Sequence, residues 1–212
     1  HYIGFIRRRA GMSHADFARY WGTVHRDLVM AFADPGPILG YVQDVGLAAA
    51  PAGLANSFDG APELWIRDAA ALAELFAAEG FRHAYDVDSP RFITLPAISF
   101  FVADTVIRDG AADGVKLMRL IPADPGRPAL QAAWAGAHQP IGMAGAEPCR
   151  LVRARILSGE AEGSDAAAWL GIESSWWPDA ETAARAWQAR DAALTGAERV
   201  LLARERVILG PC

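Results

Sequence analysis

Hydrophobic positions follow two periods along the first half of the chain. Short runs that are apolar at most or alternate positions predict β-strands, and stretches with apolar residues three or four apart predict amphipathic helices. Ser13 and Asp68 precede the two helical stretches and can cap their first backbone amides. The predicted order is strand 2–7, helix 13–32, strand 40–45, strand 61–66, helix 68–79 and strand 95–106.

The second half repeats this order. Its predicted strands are 115–121, 151–157, 169–176 and 199–209, and its predicted helices are 128–137 and 179–194. The linker between the two series, 108–113, is too short to hold two separate globules apart. The pattern therefore predicts two domains, residues 1–107 and 114–212, that contact one another.

Pairs of an indole and an imidazole mark the repeat. Trp21 and His25 are four residues apart, as are Trp134 and His138, which lie 113 residues later. Residues four apart share a face of a helix. A strand that contains an acidic residue and a Trp follows each pair. The repetition indicates homologous halves, so a site in one half is expected to have a degenerate counterpart in the other.

The predicted order is that of the ferredoxin-like split β-α-β unit, in the α+β class. Its antiparallel sheet has helices on one face and needs cover on the other. Two such sheets packed face to face close an α+β barrel with a cavity between them. Because side chains alternate along a strand, Glu63 and Trp65 are predicted to face this cavity. Tyr41 and Gln43 share one face of their strand, which we also assign to the cavity.

Composition narrows the class of protein. The 212 residues are 52% apolar and 21% charged, with a net charge of −5 and a pI near 5.5. Such a chain has no basic excess for phosphates, which argues against a nucleic-acid partner. No apolar run approaches the ~18 residues of a membrane span, and the order of charged and apolar residues at the start is wrong for a signal peptide. Cys149 and Cys212 are isolated, which fits a cytoplasmic location.

His25 is the first candidate for chemistry. An imidazole titrates near neutral pH and can transfer protons in an ordinary environment. The alternative is a helix-terminal histidine that binds backbone carbonyls. His138 takes the corresponding position in the second half, among diverged neighbours. Glu63 beside Trp65 is expected to be desolvated, which raises a carboxyl pKa, unless it forms an ion pair with Arg8 or with an arginine of the other half.

Two further clusters admit competing interpretations. Arginines alternate with apolar residues on two second-half strands. If these arginines face the cavity, they form an anion-binding site. If they do not, they are solvated or ion-paired residues at the sheet edge, which is the interpretation that we favour. A polar connection at 80–90 holds three possible metal ligands, but their spacing matches no standard set. We therefore expect no metal and no cofactor. The residues concerned are Arg153, Arg155, Arg204 and Arg206, and then His83, Asp86 and Asp88.

Several stretches of the first half occur in a characteristic series. They are Arg7-Arg-Arg-Ala-Gly11-Met-Ser13, Phe17-Ala-Arg-Tyr20-Trp21, His25, Gly40-Tyr-Val-Gln43 and Phe58-Asp-Gly-Ala-Pro-Glu63-Leu-Trp65, followed by Asp86 and Phe92. The series resembles the EthD family (named for ethyl tert-butyl ether degradation) of the dimeric α+β barrel superfamily. The resemblance implies a ferredoxin-like unit that pairs sheet to sheet. Here the tandem copy can supply the partner within one chain, and a homodimer is a further possibility.

The resemblance also implies a function. Relatives include polyketide cyclases, anthrone-type dehydratases, lactone isomerases and haem-dependent oxygenases, and they share a small hydrophobic pocket with one or two acid/base residues. We therefore expect a cofactor-independent enzyme that dehydrates, cyclises or isomerises a small hydrophobic, aromatic or polyketide-like molecule. The alternatives are a haem-dependent oxygenase or peroxidase with His25 as axial ligand, and a non-catalytic binding module. The expected roles are catalysis for His25, Glu63 and Tyr41, and substrate binding for Trp21, Gln43, Trp65, Trp134 and His138.

Overall fold

The fold is built around strands that alternate with helices along the chain. A computed structural model describes residues 1–33, 36–124, 126–136, 138–161, 164–165, 168–191 and 198–210. The strands in these ranges are β1 (Tyr2–Arg8), β2 (Ile38–Gly46), β3 (Gly60–Ile66), β4 (Ile93–Arg108), β5 (Val115–Pro122), β6 (Arg150–Ala161), β7 (Ser164–Asp165), β8 (Trp169–Trp177) and β9 (Arg199–Leu209).

The helices of the first half are interrupted by wider turns. A π-helical turn, Trp21–His25, joins α1 to α2, and a second π-helical turn, His83–Asp88, follows α4. The connection predicted at 80–90 is therefore helical. The end of the predicted helix 179–194 falls outside the described residues. None of the described helices is long and apolar enough to cross a membrane. The helices are α1 (His14–Tyr20), α2 (Arg26–Ala33), α3 (Ala69–Ala77), α4 (Glu79–Arg82), α5 (Pro128–Gly136) and α6 (Ala180–Gln188).

Side-chain caps fix where the first-half helices begin. Ser13 Oγ accepts a hydrogen bond from the Asp16 amide at 3.0 Å, and Asp68 Oδ1 accepts one from the Ala71 amide at 2.7 Å. Both bonds satisfy a backbone donor that has no partner within the helix. The two predicted N-caps are thereby confirmed.

Eight strands close into an antiparallel barrel. Their order is β4-β1-β3-β2-β9-β5-β8-β6, with β6 paired back to β4 and the short β7 beside β6. Each half supplies four strands in the order fourth, first, third, second. The halves join at two seams, β2 with β9 and β4 with β6. The predicted α+β barrel is confirmed, with hydrogen-bonded strands at both seams.

Apolar side chains from both halves fill the barrel. Phe5 and Phe100 of the first half meet Met118 and Ile172 of the second in one continuous buried cluster. The positions that alternate toward the interior carry side chains large enough to pack across it. In the described part of the chain the interior is therefore packed with apolar side chains, contrary to the cavity predicted between the sheets.

Strand register corrects the facing predicted for β2. Tyr41 lies opposite Leu64, and Gln43 lies opposite Pro62. Directly opposed residues point to the same side of a sheet. Because Leu64 and Pro62 alternate with Glu63 along β3, Tyr41 and Gln43 face the helices while Glu63 faces the interior. The prediction for Tyr41 and Gln43 was wrong, because one strand's alternation does not fix its register with the next.

Candidate active site

Two π-helical turns bring together an acid and a base. His25 is the last residue of the turn between α1 and α2, and Asp88 is the last residue of the turn after α4. His25 Nδ1 lies 2.9 Å from Asp88 Oδ2. Turns of this kind shift side chains off regular helical spacing and are frequent at functional sites. The geometry makes this pair the centre of the candidate site.

Tyr20 completes a chain of three polar side chains. Its hydroxyl donates to Asp88 Oδ1 at 2.6 Å, so both carboxylate oxygens have partners. Asp88 is 1% exposed, and the His25 side chain is 13% exposed. An ionised carboxylate can only accept, so His25 donates from Nδ1 and keeps a lone pair on Nε2. This arrangement orients the imidazole as a proton acceptor.

The surroundings of His25 keep its ring neutral. Burial lowers the pKa of His25 below its ordinary value of 6.5, while the hydrogen bond and charge of Asp88 oppose part of this effect. The lowered pKa favours the neutral form of the imidazole at pH 7. This is the protonation state that a general base needs.

A small cavity adjoins His25 between the outer face of the first-half sheet and the helices. Its volume is about 90 Å³, and its wall is mostly aromatic and aliphatic. Tyr85 belongs to this wall and is 41% exposed, so it marks where the cavity reaches the surface. Other residues of the wall are Gly4, Ile6, Trp21, Tyr41, Pro62, Leu64, Ala84, Phe92 and Ala97.

Tyr41 reaches the same cavity from β2. Gln43 Nε2 donates to the Tyr41 hydroxyl at 2.8 Å and to the Trp21 carbonyl at 2.9 Å. Burial raises the pKa of Tyr41 to about 12, so the phenol is neutral. Four of the predicted site residues thus lie together, with His25, Tyr41 and Trp21 in the cavity wall and Gln43 behind them.

Glu63 lies apart from this group, inside the barrel. It pairs with Lys116 of the second half, whose Nζ also lies 3.2 Å from Asp44 Oδ2 and 3.1 Å from Glu205 Oε1. Burial raises the pKa of Asp44. At Glu63 burial also acts to raise the pKa, but the Lys116 ammonium together with the contacts of His1 and Asp44 lowers it below its ordinary value. The three carboxylates are close enough to hold a metal ion, and Lys116 supplies the cation among them. The ion-pair interpretation of Glu63 is therefore the one observed, with a lysine as partner.

Trp65 belongs to the same interior group. Its ring stacks on the imidazole of His1 at 4.2 Å between centroids, and His1 Nε2 lies 3.0 Å from Glu63 Oε2. Glu63 and Trp65 face the barrel interior as predicted, but the sheet separates them from His25. Glu63 and Trp65 therefore do not line the cavity that adjoins His25.

In the second half, buried ion pairs lie at the positions that correspond to the cavity of the first half. His138 is exposed. Arg153 Nη1 donates to the Trp134 carbonyl at 3.1 Å, and Arg153 Nε donates to Glu173 at 3.0 Å. Arg119 donates to the other oxygen of Glu173 at 2.8 Å. The ion-paired interpretation of Arg153 is confirmed, and the space around Trp134 is occupied by charged side chains.

Asp88 and Tyr20 are the site residues that the sequence pattern did not assign. Asp88 follows His83 and Asp86, which are both exposed. The composition of this connection does not show that Asp88 is the buried one of these three polar residues. The available signal was the Tyr20-Trp21 pair of the EthD-like series, which places Tyr20 about one turn before His25. Contact between His25 and Asp88 spans 63 residues and depends on both π-helical turns.

Fold and site together describe an α+β barrel protein with an apolar cavity, lined in part by His25, outside the barrel wall. Residues 9–96 match the family model of the EthD domain, so the first half of the chain is similar to that family. A search of curated proteins found no match.

Solved structures resemble the whole chain. An anthrone oxidase-like protein superposes over 100% of this chain and 94% of its own, with a TM-score of 0.62 and 12% identity. A candidate monooxygenase from Lactobacillus acidophilus NCFM covers 97% of this chain and 95% of its own, with a TM-score of 0.50 and 12% identity. A candidate chlorite dismutase covers 97% and 93%, with a TM-score of 0.50 and 11% identity. At these identities the likeness concerns the fold.

Proposed function

We propose that this protein is a cofactor-independent acid/base enzyme that acts on a small hydrophobic molecule in the first-half cavity. The observation that carries the proposal is the chain Tyr20–Asp88–His25, which ends in a neutral imidazole at an apolar cavity. The reaction class is dehydration, cyclisation or isomerisation, each of which begins here with removal of a proton from the carbon beside a carbonyl group.

His25 is the proposed general base. Its Nε2 takes a proton from the substrate, and the Asp88 carboxylate stabilises the imidazolium that forms. Asp88 is in turn held by the Tyr20 hydroxyl. Return of the proton to another substrate atom completes an isomerisation. In a dehydration the C–O bond breaks and the proton goes to the leaving hydroxyl group, which departs as water. In a cyclisation the carbanion forms a bond to a second carbonyl carbon of the substrate, and the proton goes to the oxygen of that carbonyl. No outside oxidant or reductant is consumed.

Tyr41 is proposed to stabilise the oxygen on which negative charge develops. Its own oxygen accepts the hydrogen bond from Gln43 Nε2, so its proton is left for an acceptor in the cavity. A neutral phenol with a raised pKa donates a hydrogen bond without giving up its proton. This role differs from the proton relay with Glu63 expected from the sequence, because Glu63 lies on the other side of the sheet.

The cavity limits the size of the buried part of the substrate. About 90 Å³ is less than the roughly 150 Å³ of an apolar cavity that accepts benzene. A single ring therefore requires a small outward movement of the wall, and any larger part must extend past the exposed Tyr85. The aromatic wall favours a planar, apolar group.

The two halves are proposed to be ferredoxin-like domains, residues 1–107 and 114–212, that arose by duplication. Supporting this, both halves order their strands in the same way and exchange edge pairing at both seams. The internal pair then takes the place of a dimer of single domains. The second domain acts as the partner of the first.

Haem does not fit this site. A porphyrin is far larger than the cavity of about 90 Å³. The residues present therefore do not support a haem-dependent reaction with His25 as axial ligand, and no step of the proposal uses haem.

Proton exchange into a ketone tests the proposal directly. We expect the protein to accelerate deuterium uptake from D₂O at the acidic methylene of 2-tetralone or of anthrone. His25→Asn keeps a donor near the position of Nδ1 but removes the base, and it should lower the exchange rate by about 10²–10⁴-fold. The measurement is proton NMR of the ketone.

His138→Asn is the matched control, because it makes the same change at the exposed counterpart. Its exchange rate should equal that of the wild type. Equal rates for His25→Asn and the wild type would contradict the role of His25. A ketone that raises the melting temperature without any exchange would instead support the non-catalytic binding module.

A further inference from the structure

The turn that carries His25 is held by side chains from the barrel wall. Gln43 Nε2 donates to the Trp21 carbonyl at 2.9 Å. Arg206 Nη1 donates at 3.2 Å to the carbonyl of Ala18, which lies near the end of α1, just before the turn. A π-helical turn interrupts the regular hydrogen-bond ladder, so carbonyls in the turn and just before it gain from outside donors. Arg206 belongs to β9, so one of these donors comes from the second half of the chain.

Arg206 also fixes the neighbouring amide. Its Nη1 lies 3.1 Å from Gln43 Oε1. Gln43 then directs its Nε2 toward both the Trp21 carbonyl and the Tyr41 hydroxyl. One guanidinium thus supports the turn that ends at His25 and the amide that orients Tyr41.

Gly22 makes room for this guanidinium. A Cβ atom at Gly22 would overlap Arg206 Nη1, and its three nearest neighbours would all be atoms of Arg206. The backbone of Gly22 is not in the left-handed region, so its conformation does not require glycine. The residue is small at this position because Arg206 occupies the space beside it.

We propose that Arg206 is a positioning residue, through which the second half holds the His25 turn and the Gln43–Tyr41 pair in place for the first-half site. This inference rests on the proposed function and adds to it a part for the second half. Arg206 acts through backbone and amide groups and does not itself touch the substrate.

Arg204 provides a matched control. It lies two residues earlier on β9, on the same face of the strand, and its Nη1 also donates to a backbone carbonyl, that of Gly114, at 3.2 Å. The two arginines therefore have the same charge, strand and kind of bond. Only Arg206 contacts the turn that carries His25.

The experiment follows the titration of the His25 ring by proton–carbon NMR, with the signal assigned by its absence in His25→Asn. In Arg206→Ala the turn should relax and admit water, so the titration midpoint of His25 should rise toward 6.5. Arg204→Ala should leave the midpoint unchanged. Equal midpoints in Arg206→Ala and the wild type would overturn the proposal. This readout does not depend on catalysis, so it separates failure of the positioning role from failure of the proposed function.

A double-mutant cycle provides the second test. Gly22→Ala should displace the guanidinium and shift the His25 midpoint in the same direction as Arg206→Ala. Adding Gly22→Ala to Arg206→Ala should cause no further shift, because the clash is gone and alanine is favourable in a helical turn. Additive shifts would overturn the proposal. If Arg206→Ala does not fold, Gly22→Ala alone provides the test. A rise of the His25 midpoint in this variant supports the positioning role of Arg206, and an unchanged midpoint overturns it.

Discussion

The two halves build the same frame and fill it differently. In each half a Trp ring packs against a glycine at or near the start of a strand, Trp21 against Gly60 and Trp134 against Gly171. Two residues after that glycine, the first half has Pro62 and the second has a glutamate, Glu173. At corresponding positions, the first half thus has a proline beside its cavity and the second half has a buried acid.

Neighbouring positions differ in the same sense. Gln43 lies opposite Pro62, whereas Arg153 lies opposite Glu173. On the adjacent strand, Arg119 lies opposite Glu173, while Pro62 has only Gly4 beside it. Neutral or small residues leave the cavity of the first half open, and charged residues fill the corresponding space in the second half.

The contrast shows how one architecture divides two tasks. Buried charges are tolerated when every one is paired and hydrogen-bonded, and the resulting cluster fixes the second half. An unfilled cavity loses packing contacts and so lowers stability, which is the usual accompaniment of a binding site. The second half therefore has its space filled by paired charges, and the first half keeps the space that the proposed function requires.

The largest effect is expected from breaking the buried cluster of the second half. Glu173→Gln conserves shape but leaves Arg119 and Arg153 without their shared carboxylate. Removing one partner of a buried ion pair lowers the free energy of unfolding by about 3–5 kcal/mol. Urea denaturation measures the loss. Glu181→Gln, on the exposed face of α6, should change stability by less than about 0.5 kcal/mol. Similar values for both variants would contradict the structural role of the cluster.

The next effect concerns the acid/base pair of the first half. Asp88→Asn removes the group that raises the pKa of His25, so this pKa should fall further below 6.5. The exchange rate of 2-tetralone should drop by about 10²-fold, because the imidazolium loses its counter-charge. Asp86→Asn, at an exposed neighbour, should retain the wild-type rate.

The sign of the pH dependence follows from the same pair. The exchange rate should rise with pH as His25 loses its proton, and it should level off above a pKa that lies below 6.5. Because the unfolded chain binds the His25 proton more readily, folding stability should also fall as the pH drops below 6.5. In Asp88→Asn the rise should move to lower pH. An unmoved profile would mean that another group sets the rate.

Local patterns were enough to predict the order of elements and two of the helix caps. The repeats of apolar residues located each strand of the barrel within a few positions, and Ser13 and Asp68 begin helices as expected. These features depend on residues close in sequence. The α+β barrel followed from the uncovered sheet faces.

The site depended on long-range geometry that alternation does not contain. The facing of Tyr41 is set by its register with Leu64, and the burial of Asp88 is set by a π-helical turn. The partner of Glu63 is Lys116, which comes from the other half of the chain. His25 could be identified from the sequence, but its partner could not.

Filling the cavity of the first half is expected to cause the smallest change in stability together with a specific loss of ligand binding. Ala97 lies in the cavity wall on β4, and Ala97→Leu adds a bulky group to that wall. The free energy of unfolding should change by no more than about 1–3 kcal/mol, since the space is partly available. The rise in melting temperature caused by 2-tetralone should disappear, while the His25 titration stays in place. Ala97→Ser conserves the volume and should keep the rise. A ligand that still stabilises Ala97→Leu would have to bind outside this cavity, and the contrast between an open and a filled half would then lose its functional meaning.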